Sequence, residues 1–131
     1  MSAMFTHVVL GCNDPEQSAA FYDAIFAALG IVGQRHEASA YYGTPGGGMF
    51  MINPPRDGQP ATHANGGTIG LAAGDEGAVN AWHAAGLAHG GTDEGAPGRR
   101  DQPYAKLYGA YLRDPVGNKL SCFTTNVEEA A

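Results

Sequence analysis

Tyr108-Gly109-Ala110-Tyr111-Leu112-Arg113-Asp114-Pro115-Val116-Gly117-Asn118-Lys119-Leu120-Ser121-Cys122-Phe123 reads as two strands joined by a turn. Asp114 is placed to accept from nearby backbone N–H groups, Pro115 fixes φ at about −65°, and Gly117 is free to take a positive φ. Past the turn the pattern alternates, with Leu120 and Cys122 on one side and Lys119, Ser121 and Phe123 on the other, as a half-buried strand requires. A hairpin cannot bury its own apolar face, so this one needs a sheet around it.

A chain of 131 residues is long enough for one domain with a substantial core, or for two small modules sharing one. Hydrophobic content of 44% with 15% charged residues is globular in character, and 20 glycines imply many turns and close backbone approaches. The formal net charge of −6, with no lysine-rich run, argues against a nucleic-acid partner. No apolar run approaches the length of a membrane span, and Met1 to Thr6 lack the features of a secretory signal. The expected location is therefore the cytoplasm, with no membrane partner. Cys12 and Cys122 each sit in an apolar strand pattern, which points to buried free thiols rather than a bridge.

His7-Val8-Val9-Leu10-Gly11-Cys12 has the alternation of a first strand. A helix follows at once: Asp14 is a good N-cap, Pro15 suits the first helical position, and Gln17 completes a capping-box pattern. Phe21, Tyr22, Ile25, Phe26 and Leu29 recur at helical spacing, and Gly30 ends the helix. Residues 31–37 and Ser39–Gly43 read as further strands. A turn at Thr44-Pro45-Gly46-Gly47-Gly48 leads into Met49–Asn53, which Pro54-Pro55 closes. The first half is thus βαβββ, and residues 56–66 have the composition of a surface connection.

The pattern then starts again. Displaced by 61 positions, Leu10 falls on Leu71, Asp14 on Asp75, Phe21 on Trp82 and Phe26 on Leu87. Displaced by 70, Pro45 falls on Pro115, Gly47 on Gly117 and Met51 on Ser121. The second copy is longer, and its excess lies in the Gly- and Pro-rich run 90–103. One domain over 1–131 is expected, with module one at 5–55, the linker at 56–66 and module two at 67–125.

Two βαβββ modules closed by an Asp-Pro-x-Gly-Asn hairpin resemble the vicinal oxygen chelate superfamily, which holds glyoxalases, bleomycin-resistance proteins, extradiol dioxygenases and fosfomycin-resistance enzymes. The resemblance is carried by His7-Val8-Val9-Leu10, by Asp14-Pro15 with Phe21-Tyr22, and by Gly109 to Lys119. It is specific for the superfamily and weak for any one activity. It implies an α+β fold in which the modules form a curled mixed sheet with helices outside, a concave pocket for a small molecule, and a homodimer. Strand alternation assigns Val8, Leu10, Phe50, Ile52, Ile69, Leu71, Leu120 and Cys122 to the helix side. It leaves His7, Val9, Met49, Met51, Thr68, Gly70, Lys119, Ser121 and Phe123 to the pocket side.

The resemblance also implies a divalent metal held from the first and last strand of each module, where this chain has His7, Met51, Thr68 and Ser121. Of these only His7 is a credible ligand for an ion that prefers imidazole and carboxylate. Two readings follow: the metal has been lost and His7 is an ordinary pocket histidine, or His36, His63 or another subunit completes the site. No cofactor is expected on the first reading; zinc, nickel, manganese or iron would serve on the second. His83 and His89 are expected on or beside a helix, at its surface. Acid–base chemistry would fall to His7, the one imidazole among the pocket-side residues.

Arg99, Arg100 and Lys106 put three of the seven basic residues in one loop beside Tyr104 and Tyr108, which reads as a cationic lid for a carboxylate or phosphate. The candidate site is thus His7 as catalytic group, with Met49, Met51, Thr68, Ser121, Phe123, Arg99 and Tyr108 around the ligand. The expected function is binding of a small, partly apolar or anionic molecule, with a metal-dependent glyoxalase-type lyase or dioxygenase as the alternative.

Overall fold

A computed structural model describes residues 4–128. The element order is β1 His7–Gly11, α1 Pro15–Ala27, β2 Gln34–His36, β3 Ser39–Gly43, β4 Met49–Asn53, β5 Thr68–Ala72, α2 Glu76–Ala88, β6 Thr92–Arg99, β7 Tyr108–Arg113 and β8 Lys119–Thr124. The class is α+β, and the strands form two separate mixed sheets of four, ordered β1-β4-β3-β2 and β5-β8-β7-β6. In each sheet the first strand pairs in parallel with the last, and the other pairings are antiparallel. The repeat is metrically regular: β1 to β5 and α1 to α2 are each displaced by 61 positions at both ends.

Each helix starts where its sequence says it should. The Asp14 carboxylate accepts from the Gln17 amide at 3.1 Å, and that of Asp75 from the Ala78 amide at 2.8 Å, satisfying donors that have no partner within the helix. α1 packs on β3 and β4, α2 packs on β6, β7 and β8, and the helices pack on each other. All eight residues assigned to the helix side join or border a single core with Phe21, Tyr22, Ile25, Phe26, Val79 and Trp82. Full burial of one such large apolar side chain contributes about 2 kcal/mol, and because both modules contribute, neither sheet has a core of its own.

The modules are also tied by a polar bond. In the turn 114–117 the buried Asp114 carboxyl accepts from the amides of Val116, Gly117 and Asn118 at 2.8–2.9 Å, and from the Asn118 side chain. Its second oxygen also accepts a hydrogen bond from the hydroxyl of buried Tyr22, on α1, at 2.5 Å. The turn's sequence signature therefore serves a long-range contact as well as a local one. Gly117 has φ +104, the left-handed geometry expected of it.

Several expectations are corrected. The second strand is only Gln34–His36, because the amides of Gly30 and Ile31 still donate back to the carbonyls of Ala27 and Phe26 at the end of α1; Gly33, just before the strand, lies against the Tyr42 ring, which a Cβ would meet at 2.2 Å. The run 90–103 is not simply a loop: it contains β6, an edge strand with register shifts between Asp93 and Gly95 and between Gly95 and Gly98. Pro97 is tolerated at such an irregular edge, and the Arg100 guanidinium donates to the carbonyls of Ala96, Gly98 and Gly109. His83 is buried rather than at the surface, 2.8 Å from the Asp93 carboxylate. Leu87, displaced from buried Phe26, is 45% exposed. Cys12 and Cys122 are free and buried. No helix among the described residues is long and apolar enough to cross a membrane.

Candidate functional site

The first strands of the two sheets, β1 and β5, border a groove of about 460 Å³. Phe5, His7, Val8, Met49 and Phe50 line it from the first module, and Thr68, Ile69, Gly70 and Leu71 from the second. Phe26, Ile31 and Tyr42 line it as well. The parallel pairings set this wall: His7 lies opposite Met49 and Val8 opposite Phe50. The lining includes no carboxylate. It is mostly apolar, with the His7 imidazole and the Thr68 hydroxyl as its polar side chains apart from the Tyr42 phenol. That phenol is already committed, donating to Asp23 at 2.7 Å.

Of the expected site residues, His7, Met49 and Thr68 therefore share one cavity. His7 is exposed, its Nδ1 2.9 Å from the Thr6 hydroxyl. Met51, Ser121 and Phe123 alternate with core residues and so lie on the face of their sheet away from the helix, outside the groove lining. There Phe123 covers Gly109, where a Cβ would sit 2.2 Å from the ring, and it meets Tyr111 edge-on at 5.6 Å between centroids. Arg100 and Lys119 both lie over the Tyr111 ring, at 5.5 and 5.0 Å. Ser121 is buried beside Gly70.

Arg99 and Tyr108 are not brought to the groove. Arg99 grips the Asp101 carboxylate with two of its nitrogens, and Tyr108 turns to the helix side, donating to Asn80 of α2 at 2.7 Å. With Arg100 committed to carbonyls, this cluster braces the β6–β7 region instead of forming an open cationic lid. Backbone carbonyls left free by a bulge are an invitation to an arginine, but the sequence does not reveal where the bulges fall.

The donors do not fit a catalytic divalent ion, which takes about three protein ligands. His36 stands on β2, at the opposite edge of its sheet from β1. The His63 ring packs against Gly117. Among the described residues no three His, Cys, Asp or Glu side chains come together. The buried thiols are not reactive donors either: burial pushes Cys122 up to about 12, and burial, reinforced by Asp114 and Asp14, raises Cys12.

The family model for the glyoxalase/bleomycin resistance protein/dioxygenase superfamily matches residues 4–121. A glyoxalase/bleomycin resistance protein from Albidiferax ferrireducens T118 is 49% identical, with a TM-score of 0.88 over 93% of this chain and 99% of that one. A glyoxalase/bleomycin resistance protein/dioxygenase family enzyme from Burkholderia phytofirmans PsJN shares the fold at 19% identity, with a TM-score of 0.67 over 92% and 97% of the two chains. The lactoylglutathione lyase of Agrobacterium tumefaciens does so at 20% identity, TM-score 0.62, over 93% of each. Among curated proteins, none matches. On the strength of the nearly full-length match and the shared architecture, this chain belongs to the glyoxalase/bleomycin resistance protein/dioxygenase superfamily.

Proposed function

We propose that the protein binds a small, partly apolar molecule in the groove between its two sheets, without a divalent metal. The observation that carries this reading is the lining, apolar walls from both modules with one imidazole and one free hydroxyl to orient a ligand. A groove of about 460 Å³ is of the size that holds small organic ligands, and such sites combine apolar walls with a few placed polar groups. Binding would be driven by removing apolar surface from water, while His7 and Thr68 select the ligand's polar end.

Metal content and ligand mapping together test the reading. The purified protein is expected to carry well under one divalent ion per chain, and a chelator is expected to leave its melting temperature unchanged. Indole, as a neutral apolar probe, should shift the NMR resonances of His7, Met49 and Thr68 first. Stoichiometric zinc, nickel, manganese or iron, or indole shifts confined to other surfaces, would overturn the proposal in favour of the metal-dependent lyase or dioxygenase reading or of another site.

The chain is also proposed to act as a homodimer in the cytoplasm. β1 and β5 each form an edge of their sheet, and Phe5 and Val9 are 64% and 47% exposed, features that favour association. The unbridged thiols fit a reducing compartment. Light scattering at micromolar concentration should give twice the monomer mass, and a monomer would refute the pairing.

A further inference from the structure

A second, polar cavity of about 260 Å³ lies at the other end of Thr68, where the linker runs into β5. Arg113, Lys119, His63, Asn65 and Thr68 supply its polar side chains, and Ala64, Gly66 and Gly67 complete the lining. No Asp or Glu belongs to that lining, although acidic residues outnumber basic ones 13 to 7 in the chain.

The cations differ in what occupies them. Arg35 and Arg99 each hold carboxylates, and Arg100 holds carbonyls. Arg113 spans Glu94 and the Gly117 carbonyl, both at 2.9 Å, so its position is fixed and its charge is partly offset. Lys119 makes a contact with the Tyr111 ring but no ion pair with a carboxylate among the described residues. Glu94 feels both cations, its carboxyl held low by Arg113 and also by Lys119, so one carboxylate stands against two positive charges and the cavity keeps a net cationic excess, with the ammonium held in place by the ring face. The His63 ring is positioned by its packing against Gly117, where a Cβ would approach Nδ1 to 3.1 Å.

We propose that this cavity is a binding site for a compact oxyanion, the phosphate or carboxylate group of a small molecule, with Lys119 as the principal charge and Arg113, His63 and Thr68 as hydrogen-bond partners. Charge-assisted bonds from a fixed guanidinium and an ammonium are the usual means of holding such a group. The volume suits a single small anion and is below that of most drug-sized sites. The site shares Thr68 with the groove but is told apart by its other residues: indole at His7 and Met49 reports on the groove, inorganic phosphate at Gly66 and Gly67 on this cavity, so either can fail alone.

The test titrates inorganic phosphate and, separately, acetate into the full chain, with chloride at matched ionic strength as the control. Calorimetry and amide chemical shifts are recorded. The expected result is saturable binding of at least one oxyanion beyond chloride, with shifts centred on Gly66, Gly67 and Thr68. Lys119→Gln should weaken it about tenfold, and Arg35→Gln should leave it unchanged. Binding of phosphate alone assigns a phosphate group to the ligand, and binding of acetate alone a carboxylate. No binding beyond chloride, shifts centred elsewhere, or full affinity in folded Lys119→Gln would overturn the site; should that variant not fold, the wild-type shifts decide.

Discussion

Replacing Asp114 by alanine is expected to destabilise the protein by about 3–5 kcal/mol, a large part of the total stability of a domain this size. The estimate follows from what would lose its acceptor: three amides of the β7–β8 turn, the Asn118 side chain and the Tyr22 hydroxyl. The residue is 4% exposed and Tyr22 is fully buried, so water would not readily replace the missing oxygens, and each unsatisfied buried donor costs about 1–3 kcal/mol. Tyr22→Phe removes one donor and keeps the ring, so its cost should be about 1–2 kcal/mol. The informative measurement is the double-mutant cycle in denaturant. If Asp114 joins the modules, the two changes are strongly non-additive, because the first removes the partner of the second. A loss below about 1 kcal/mol for Asp114→Ala, or additive effects, would show that the turn holds itself and that α1 is anchored by apolar packing alone.

That contact also marks how far the sequence alone could go. Alternation placed Val8, Leu10, Phe50, Ile52, Ile69, Leu71, Leu120 and Cys122 on the core side, because period-two patterning is a local property of a strand with one face buried. The repeat was legible for the same reason, since caps and turns are local. The Tyr22–Asp114 bond joins residues 92 positions apart, and buried His83 meets the Asp93 carboxylate of β6; neither partner is specified by the residue's own helix. β6 lacks the β-branched and aromatic residues that mark strands, so its pairing with β7 was hidden behind Gly and Pro. The candidate site divides along the same line. His7, Met49 and Thr68 share the groove because strand register puts them there, whereas Tyr108 and Arg99 were grouped by loop proximity and found local partners instead. Lys119, assigned by alternation to the pocket side, does not line the groove; it borders the separate cavity with His63, and nothing local joined it to that residue across the linker.

Alkaline pH is expected to unfold the protein over a window set by groups buried in their protonated form. Burial raises Tyr22 well above the ordinary phenol value, with the Asp114 carboxyl reinforcing it; burial and then Asp23 raise Tyr42 likewise. The thiols of Cys122 and Cys12 are also raised, the former to about 12. Each is an acid whose folded pKa exceeds its unfolded one, so its contribution is fully present below the unfolded value and is lost as pH rises toward the folded value. The loss begins near pH 9 for the thiols and near pH 10 for the phenols. A proton released only on unfolding costs about 1.4 kcal/mol per pH unit, so by about pH 11 Cys122, Tyr22 and Tyr42 together should remove on the order of 5 kcal/mol, comparable with the whole stability of the fold. Denaturant unfolding at pH 8 and at successive steps to pH 11 should therefore show a steepening fall in midpoint, with tyrosinate absorbance from these two phenols rising in step with loss of structure. Tyr42→Phe should flatten the slope above pH 10 by about one proton, even though it lowers stability at pH 8 by removing the bond to Asp23. An unchanged slope in that variant, or midpoints constant from pH 8 to 11, would mean that these groups ionise without unfolding and that the shared core admits water at the helix–sheet interface.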